Sequence, residues 1–259
     1  MENFIAAFPF AGILLVGMLG CLEVGRRLGL RRIAKDPQGA MSGLGAIEGA
    51  VFALYGLLLA FTFSGAPSRL DSRRHLIAEE ANAIGSAYLR LDLLAAESQP
   101  QLRVLLQQYL DSRIATYRTP PDSEEAKLEL SKSERLQADI WSRAVLATRL
   151  PGVHPDAGKL LLPALNEMID MTTTRAMAAR THPPRIIFGL LFILALVCSL
   201  LAGFGTAGGK QRSWVHIVAF AAVTVITAFV ILDIEYPRTG LIRLDAYDQV
   251  LVDLRAGMK

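Results

Sequence analysis

Four apolar runs alternate with charged stretches along the chain, and the polar residues between them recur at helical rather than strand spacing. The first run, Phe4 to Leu22, has about nineteen residues, close to the roughly 20 needed to cross the hydrocarbon layer. No basic run precedes it and no small-residue cleavage pattern follows, so it reads as a retained span. Next comes GRRLGLRRIAKDPQGAMSG, read as a short loop carrying Arg26, Arg27, Arg31, Arg32 and Lys35. The second run, Ala46 to Phe63, contains Glu48 about one turn inside its start, where the carboxylate can reach headgroups or a partner. The third and fourth runs are Ile186 to Phe204 and Trp214 to Leu232, joined by the short loop GTAGGKQRS, with Trp214 at an interface position.

The stretch between the second and third runs holds no span. Its pattern predicts helix A over 69–96 and helix B over 101–117, the latter started by Ser98 and Pro100. PPDSEE breaks the chain and restarts it, with Asp122 or Ser123 as N-cap and Glu124 and Glu125 in the favourable first turn of helix C, which runs to about 149. LPGVHP is a turn, and helix D covers 156–181 with an irregularity expected at Pro163. After Pro237 and Gly240 a final amphipathic helix puts Leu244, Tyr247, Leu251 and Leu254 on one face, to pack on the central bundle. No run alternates as a half-buried strand would. The fold class is therefore an all-α integral membrane protein: four transmembrane helices, with an extramembrane helical bundle inserted between spans two and three. The boundaries fall at 1–67 for the first membrane pair, 68–184 for the bundle, 185–236 for the second pair and 237–259 for the C-terminal helix. An even span count puts both termini and the bundle on one side.

One stripe of small or polar residues runs through the second span and into helix A: Gly45, Gly49, Ala53, Gly56, Ala60, Ser64, Pro67, Asp71, His75, Ala78, Asn82, Gly85. Steps of three and four keep these residues on one side of a helix, and Leu70, Ile77, Ala81, Ile84, Tyr88 and Leu91 fall on the other. The reading is one helix leaving the bilayer and continuing into water, with a kink expected at Pro67. Small residues in a span permit close helix packing. The same face around an oligomer axis would leave room for an ion, with Gly56, Ala60, Ser64, Asp71, His75 and Asn82 as pathway candidates.

Composition agrees with spans plus a wet domain, at mean hydropathy +0.36 with 52% hydrophobic and 20% charged residues. The net charge of +3 and pI near 9.0 reflect arginines flanking spans. Aromatic residues are few and no basic groove appears, so no nucleic acid is expected. Cys21 and Cys198 both lie inside spans, so no disulfide framework is read. Asp71, His75 and Glu79, spaced i, i+4, i+8, rise about 12 Å along a helix and cannot grip one metal ion together. They read as a salt-bridge and hydrogen-bond ladder. GTAGGK lacks the hydroxyl residue after Lys210 that a phosphate loop needs. Asp233 and Glu235 beside Arg238 read as a capped charge cluster at headgroup level, with an ion-entry ring as the other reading. No nucleophile elbow, Cys–His arrangement or catalytic carboxylate pair is present, so no enzyme, cofactor or metal is expected. Basic residues near the span ends nearly cancel between the two sides, Lys210 and Arg212 adding to the first loop's side. The dense first loop taken alone places the bundle outside the cytosol.

The run GLLLAFTFSGAPSRLDSRRHLIAEEANAIGSAYLRLDLL, with NEMIDMTTTRAMAARTHPP before the third span and DIEYPRTGLI after the fourth, resembles the bestrophin-like family of bacterial membrane proteins over nearly the whole chain. A more distant likeness is to true bestrophins, pentameric anion channels whose second span also runs on into a cytosolic helix. Here SRLDSRRH stands where bacterial bestrophins carry an aromatic and arginine cluster, so no gate or selectivity residue is carried over. The resemblance implies a bestrophin-like architecture in a bacterial inner membrane, self-association as a pentamer, a cytosolic bundle and a small anion as the conducted species. Two functions stay open at this stage: a homo-oligomeric channel lined by the second helix, or a non-conducting scaffold or sensor whose bundle binds a protein partner.

Overall fold

The computed structural model describes residues 2–36, 44–119, 123–209, 214–238 and 240–259. Eight α-helices account for nearly all of them, and the described residues contain no strand: α1 Glu2–Lys35, α2 Leu44–Arg90, a 3-10 turn Leu91–Leu93, α3 Gln99–Arg118, α4 Glu124–Ala147, α5 Ala157–Arg180, α6 Arg185–Gly205, α7 Trp214–Glu235 and α8 Asp245–Gly257. α1, α2, α6 and α7 are long and apolar enough to cross a membrane. The chain divides into two compact units, Met1–Ser68 with His182–Leu241 and Arg69–Thr181 with Ile242–Lys259.

In the first unit α1 and α6 lie backbone to backbone because glycine lets them. A methyl group at Gly25 would overlap the Leu200 carbonyl, one at Gly203 would overlap that of Leu22, and one at Gly29 would sit 2.8 Å from the Phe204 oxygen. Small residues permit this approach, which maximises dispersion contacts where lipid offers no hydrophobic driving force between helices. Leu14, Met18, Tyr55, Leu191, Ala195, Cys198 and Ala221, drawn from α1, α2, α6 and α7, form one buried apolar cluster. Phe10 of α1 packs against Phe192 of α6 with centroids 5.6 Å apart, and Phe52 of α2 against Phe220 of α7, 6.1 Å apart.

The second unit is a helical bundle around a conventional apolar core that includes Ile84, Leu91, Leu106, Leu110, Ile140, Leu161, Leu165 and Met168. Ser123 caps α4, its Oγ accepting the Ala126 amide at 3.1 Å and satisfying one of the helix's orphan donors. The other N-cap candidate, Asp122, lies outside the described residues. At the turn before α5 Gly152 takes φ +85°, a conformation glycine adopts without a Cβ penalty. α8 belongs to this unit: Leu251 is fully buried, Arg255 Nε donates to Asp111 Oδ1 at 2.8 Å, and the Tyr88 hydroxyl donates to the Lys259 carbonyl. Tyr247, expected on the packed face, is 41% exposed and lies under the Arg74 guanidinium, 4.7 Å from its ring centroid.

Two boundary expectations change. Arg26 to Lys35 are not a loop but the last turns of α1, because arginine, leucine, lysine and alanine are good helix formers and hydropathy alone marks only where lipid ends. Helix A stops at Arg90 and tightens into the 3-10 turn. Pro67 lies inside α2 and Pro163 inside α5, and neither ends its helix.

Candidate functional site

In the bundle half of α2 the two faces have opposite fates, while most of its membrane half is exposed within the chain. Leu70, Ile77, Ala81, Ile84, Tyr88 and Leu91 are all buried. Gly45, Gly49, Ala53, Gly56, Ala60, Ser64, Asp71, His75, Ala78 and Asn82 are all exposed, with Pro67 and Gly85 intermediate. Nothing lies within 4 Å of where a Cβ would stand on Gly45, Gly49 or Gly56. In the most apolar window of α2 only 6% of the residues are buried, against 22%, 28% and 17% in the windows of the other three spanning helices. The six pathway candidates are thus all exposed within the chain. The charges on it are partnered locally: Arg74 Nη1 donates to Asp71 Oδ1 at 3.0 Å, and His75 Nε2 stands 3.2 Å from Glu79 Oε1. The expected ladder thus forms between His75 and Glu79, while Asp71 turns to Arg74. No group of metal-ligand residues is found among the described residues.

On the buried side of the same helix lies a charge cluster that the sequence reading missed. Glu80, 0% exposed, accepts from Arg113 Nε at 2.7 Å and from Arg175 Nη1. Arg175 Nη2 also reaches Asp248 Oδ1 of α8 at 3.3 Å, and its guanidinium lies 3.6 Å from the Tyr117 ring centroid, to whose hydroxyl Arg113 donates. Two carboxylates and two guanidiniums balance, as buried charges must. Burial alone would raise the Glu80 carboxyl, but the charges of Arg113 and Arg175 and their hydrogen bonds outweigh it and hold it below the ordinary carboxylate range. Burial likewise raises the Tyr117 and Tyr109 hydroxyls, which stay neutral donors and acceptors. A second polar group continues inward: the Tyr109 hydroxyl bonds Thr172 Oγ1 at 2.9 Å, and Gln137 Nε2 donates to the same Thr172 oxygen at 2.8 Å. The missed signal was positional. Glu80 falls between Ile77 and Ile84 on the apolar stripe, Arg113 follows Leu106 and Leu110 at helical spacing, and Arg175 follows Met168 and Thr172.

The end of α7 carries the two acidic residues beside the bilayer. Asp233 Oδ1 accepts the Leu241 amide at 2.8 Å, and Gly240 must lack a Cβ because that carboxylate occupies the space. Glu235 is fully buried, with Nδ1 of His182 3.4 Å from its Oε2, and the His182 ring stacks on Tyr236 with centroids 4.5 Å apart. Asp233 therefore fixes the chain reversal after α7, and Glu235 holds His182 at the start of the chain segment that enters α6.

These elements define an all-helical integral membrane protein with four spans and a helical bundle inserted between the second and third. The chain belongs to the bestrophin-like family: the Bestrophin-like domain matches residues 16–246. It is similar in fold to the crystal structure of a bacterial bestrophin homologue from Klebsiella pneumoniae carrying a tyrosine-to-alanine mutation, at TM-score 0.60 and 15% identity, over 92% of this chain and 99% of that one. Two structures described as a membrane protein with a proline-to-alanine substitution are similar too: one at TM-score 0.59 and 16% identity over 92% and 98% of the two chains, the other at 0.60 and 16% over 94% and 98%. No curated protein matches the chain.

Proposed function

We propose that this protein is the subunit of a homo-oligomeric membrane channel for small anions, with the small-residue face of α2 turned to the axis. The observation that carries the reading is the openness of the membrane half of α2: three glycines with nothing near them, in a helix whose apolar window is only 6% buried while its continuation in the bundle buries one whole side. Glycine in a helix interior costs stability relative to alanine. A helix that keeps such glycines where its own chain makes no use of them leaves room for something outside the chain, and copies of α2 around an axis would use it. Gly56, Ala60 and Ser64 then form the narrow part, with Asp71, His75 and Asn82 continuing the path. The pentamer, the anion and the cytosolic bundle enter this proposal by analogy with bestrophins, whose fold the chain shares. The test is electrical. Purified full-length protein in planar bilayers is expected to show unitary currents that Ala60→Trp or Ser64→Trp abolishes. Silence across salts, pH and voltage would leave the scaffold or sensor reading in its place.

A further inference from the structure

The end of α1 offers a surface that the channel reading does not use. α1 has 34 residues, and its apolar part ends at Leu22, so the thirteen residues to Lys35 add about 20 Å of helix at 1.5 Å per residue. The bilayer edge can be placed along it from α6, whose apolar stretch ends at Gly205. Gly25 packs on Leu200 and Gly29 on Phe204 and Ala207, so Arg26 to Leu30 lie level with the end of a span and Arg31 to Lys35 lie just outside it. Gly25 and Gly29 face α6, which leaves Val24, Arg27, Leu28, Arg31 and Lys35 as one exposed stripe on the far side. Val24 is 50% exposed, Leu28 43% and Leu30 42%.

From Val24 to Lys35 every charge is positive. Between Glu23 and Asp36 the chain holds five cations and no acid. Arg27 pairs with Glu23 at 2.9 Å, while Arg26, Arg31, Arg32 and Lys35 have no ion-pair partner among the described residues. On the bundle, by contrast, exposed cations commonly sit beside carboxylates, as in Lys127–Glu124, Lys159–Asp156 and Arg255–Asp111. We infer that the exposed face of α1 from Val24 to Lys35 is a docking surface for acidic phospholipid headgroups. The leucines and valine would sit at the acyl boundary while the arginines and lysine reach phosphates, the arrangement by which basic segments beside a span select anionic lipid.

The test uses the full-length protein in phosphatidylcholine vesicles, with trace spin-labelled phosphatidylglycerol or phosphatidylcholine as probe. The motionally restricted fraction of each gives their relative association. The wild type is expected to favour phosphatidylglycerol severalfold, each cation near the surface contributing up to about fivefold. Arg31→Gln/Arg32→Gln/Lys35→Gln should bring the two lipids to within about twofold of each other, as should salt raised to about 1 M. Arg31→Lys/Arg32→Lys should keep the preference, and so should Arg118→Gln/Arg135→Gln/Arg143→Gln, which removes exposed cations from the bundle instead. An unchanged preference in the first triple variant, or an equal loss in the bundle variant, overturns the inference. So does displacement by inorganic phosphate where chloride at equal ionic strength has no effect, since that would mark a free-phosphate site. If the triple variant does not fold, Lys35→Glu alone must still lower the preference, and an unchanged ratio there counts equally against it.

Discussion

Two sets of glycines in the membrane unit look alike in sequence and differ completely in use. Gly25, Gly29 and Gly203 are spent on the seam between α1 and α6, where a methyl group would meet backbone atoms of the facing helix. Gly45, Gly49 and Gly56 of α2 meet nothing. The first set explains how a single chain holds its spans together. The second has no such use inside the chain, nor have Gly12 and Gly20 of α1 or Gly189 of α6; what sets α2 apart is that it carries three of them in the least buried of the four spanning windows, and that is the ground for proposing other copies against it.

The largest effect should come from the buried side of α2. Glu80→Gln leaves two buried guanidiniums short of one negative charge, and breaking a buried pair from one side costs about 3–5 kcal/mol. Melting of the full-length protein in detergent reads it. Because the Glu80 carboxyl is held below its ordinary range in the folded state, its contribution is present above the unfolded carboxylate range and is lost as pH falls through the folded value. The wild type should therefore lose stability in acid, and Glu80→Gln should flatten that part of the profile. A variant that melts like the wild type would remove the cluster from the account.

Next comes the seam. Gly25→Ala should cost about 1–3 kcal/mol or more, since overpacking against backbone cannot be relieved by a rotamer change. Gly56→Ala should leave protomer melting unchanged or raise it by up to about 1 kcal/mol, from helix propensity alone. Its effect should appear instead in the assembly, as a smaller or less stable oligomer on size-exclusion chromatography with light scattering. Equal destabilisation of the protomer by both substitutions would erase the contrast between the two glycine sets. The smallest effect belongs to the exposed pair His75 and Glu79: Glu79→Gln should shift protomer stability by no more than about 1 kcal/mol, as surface ion pairs do.

Much of this was legible before any coordinates. The four spans follow from hydropathy, and the separation of α2 into a small stripe and a large one follows from steps of three and four. Each of the six residues read onto the inner face, all in the bundle half of α2, is buried. What the pattern hid has two physical causes. The end of α1 was read as a loop because lipid-crossing hydropathy stops at Leu22 while helix propensity does not. Glu80, Arg113 and Arg175 were passed over because charge was taken as a mark of the surface, although each sits in register with buried apolar neighbours on its own helix. The pathway candidates were legible as a periodic set, and every one of them is exposed within the chain.

The most direct measurement is a single-particle image of the purified full-length protein that resolves the subunit count and the position of α2. The account predicts a closed ring of copies with Gly56, Ala60 and Ser64 innermost around an axial opening. A lone protomer, or a ring whose α2 turns these residues to the surrounding lipid, would contradict it.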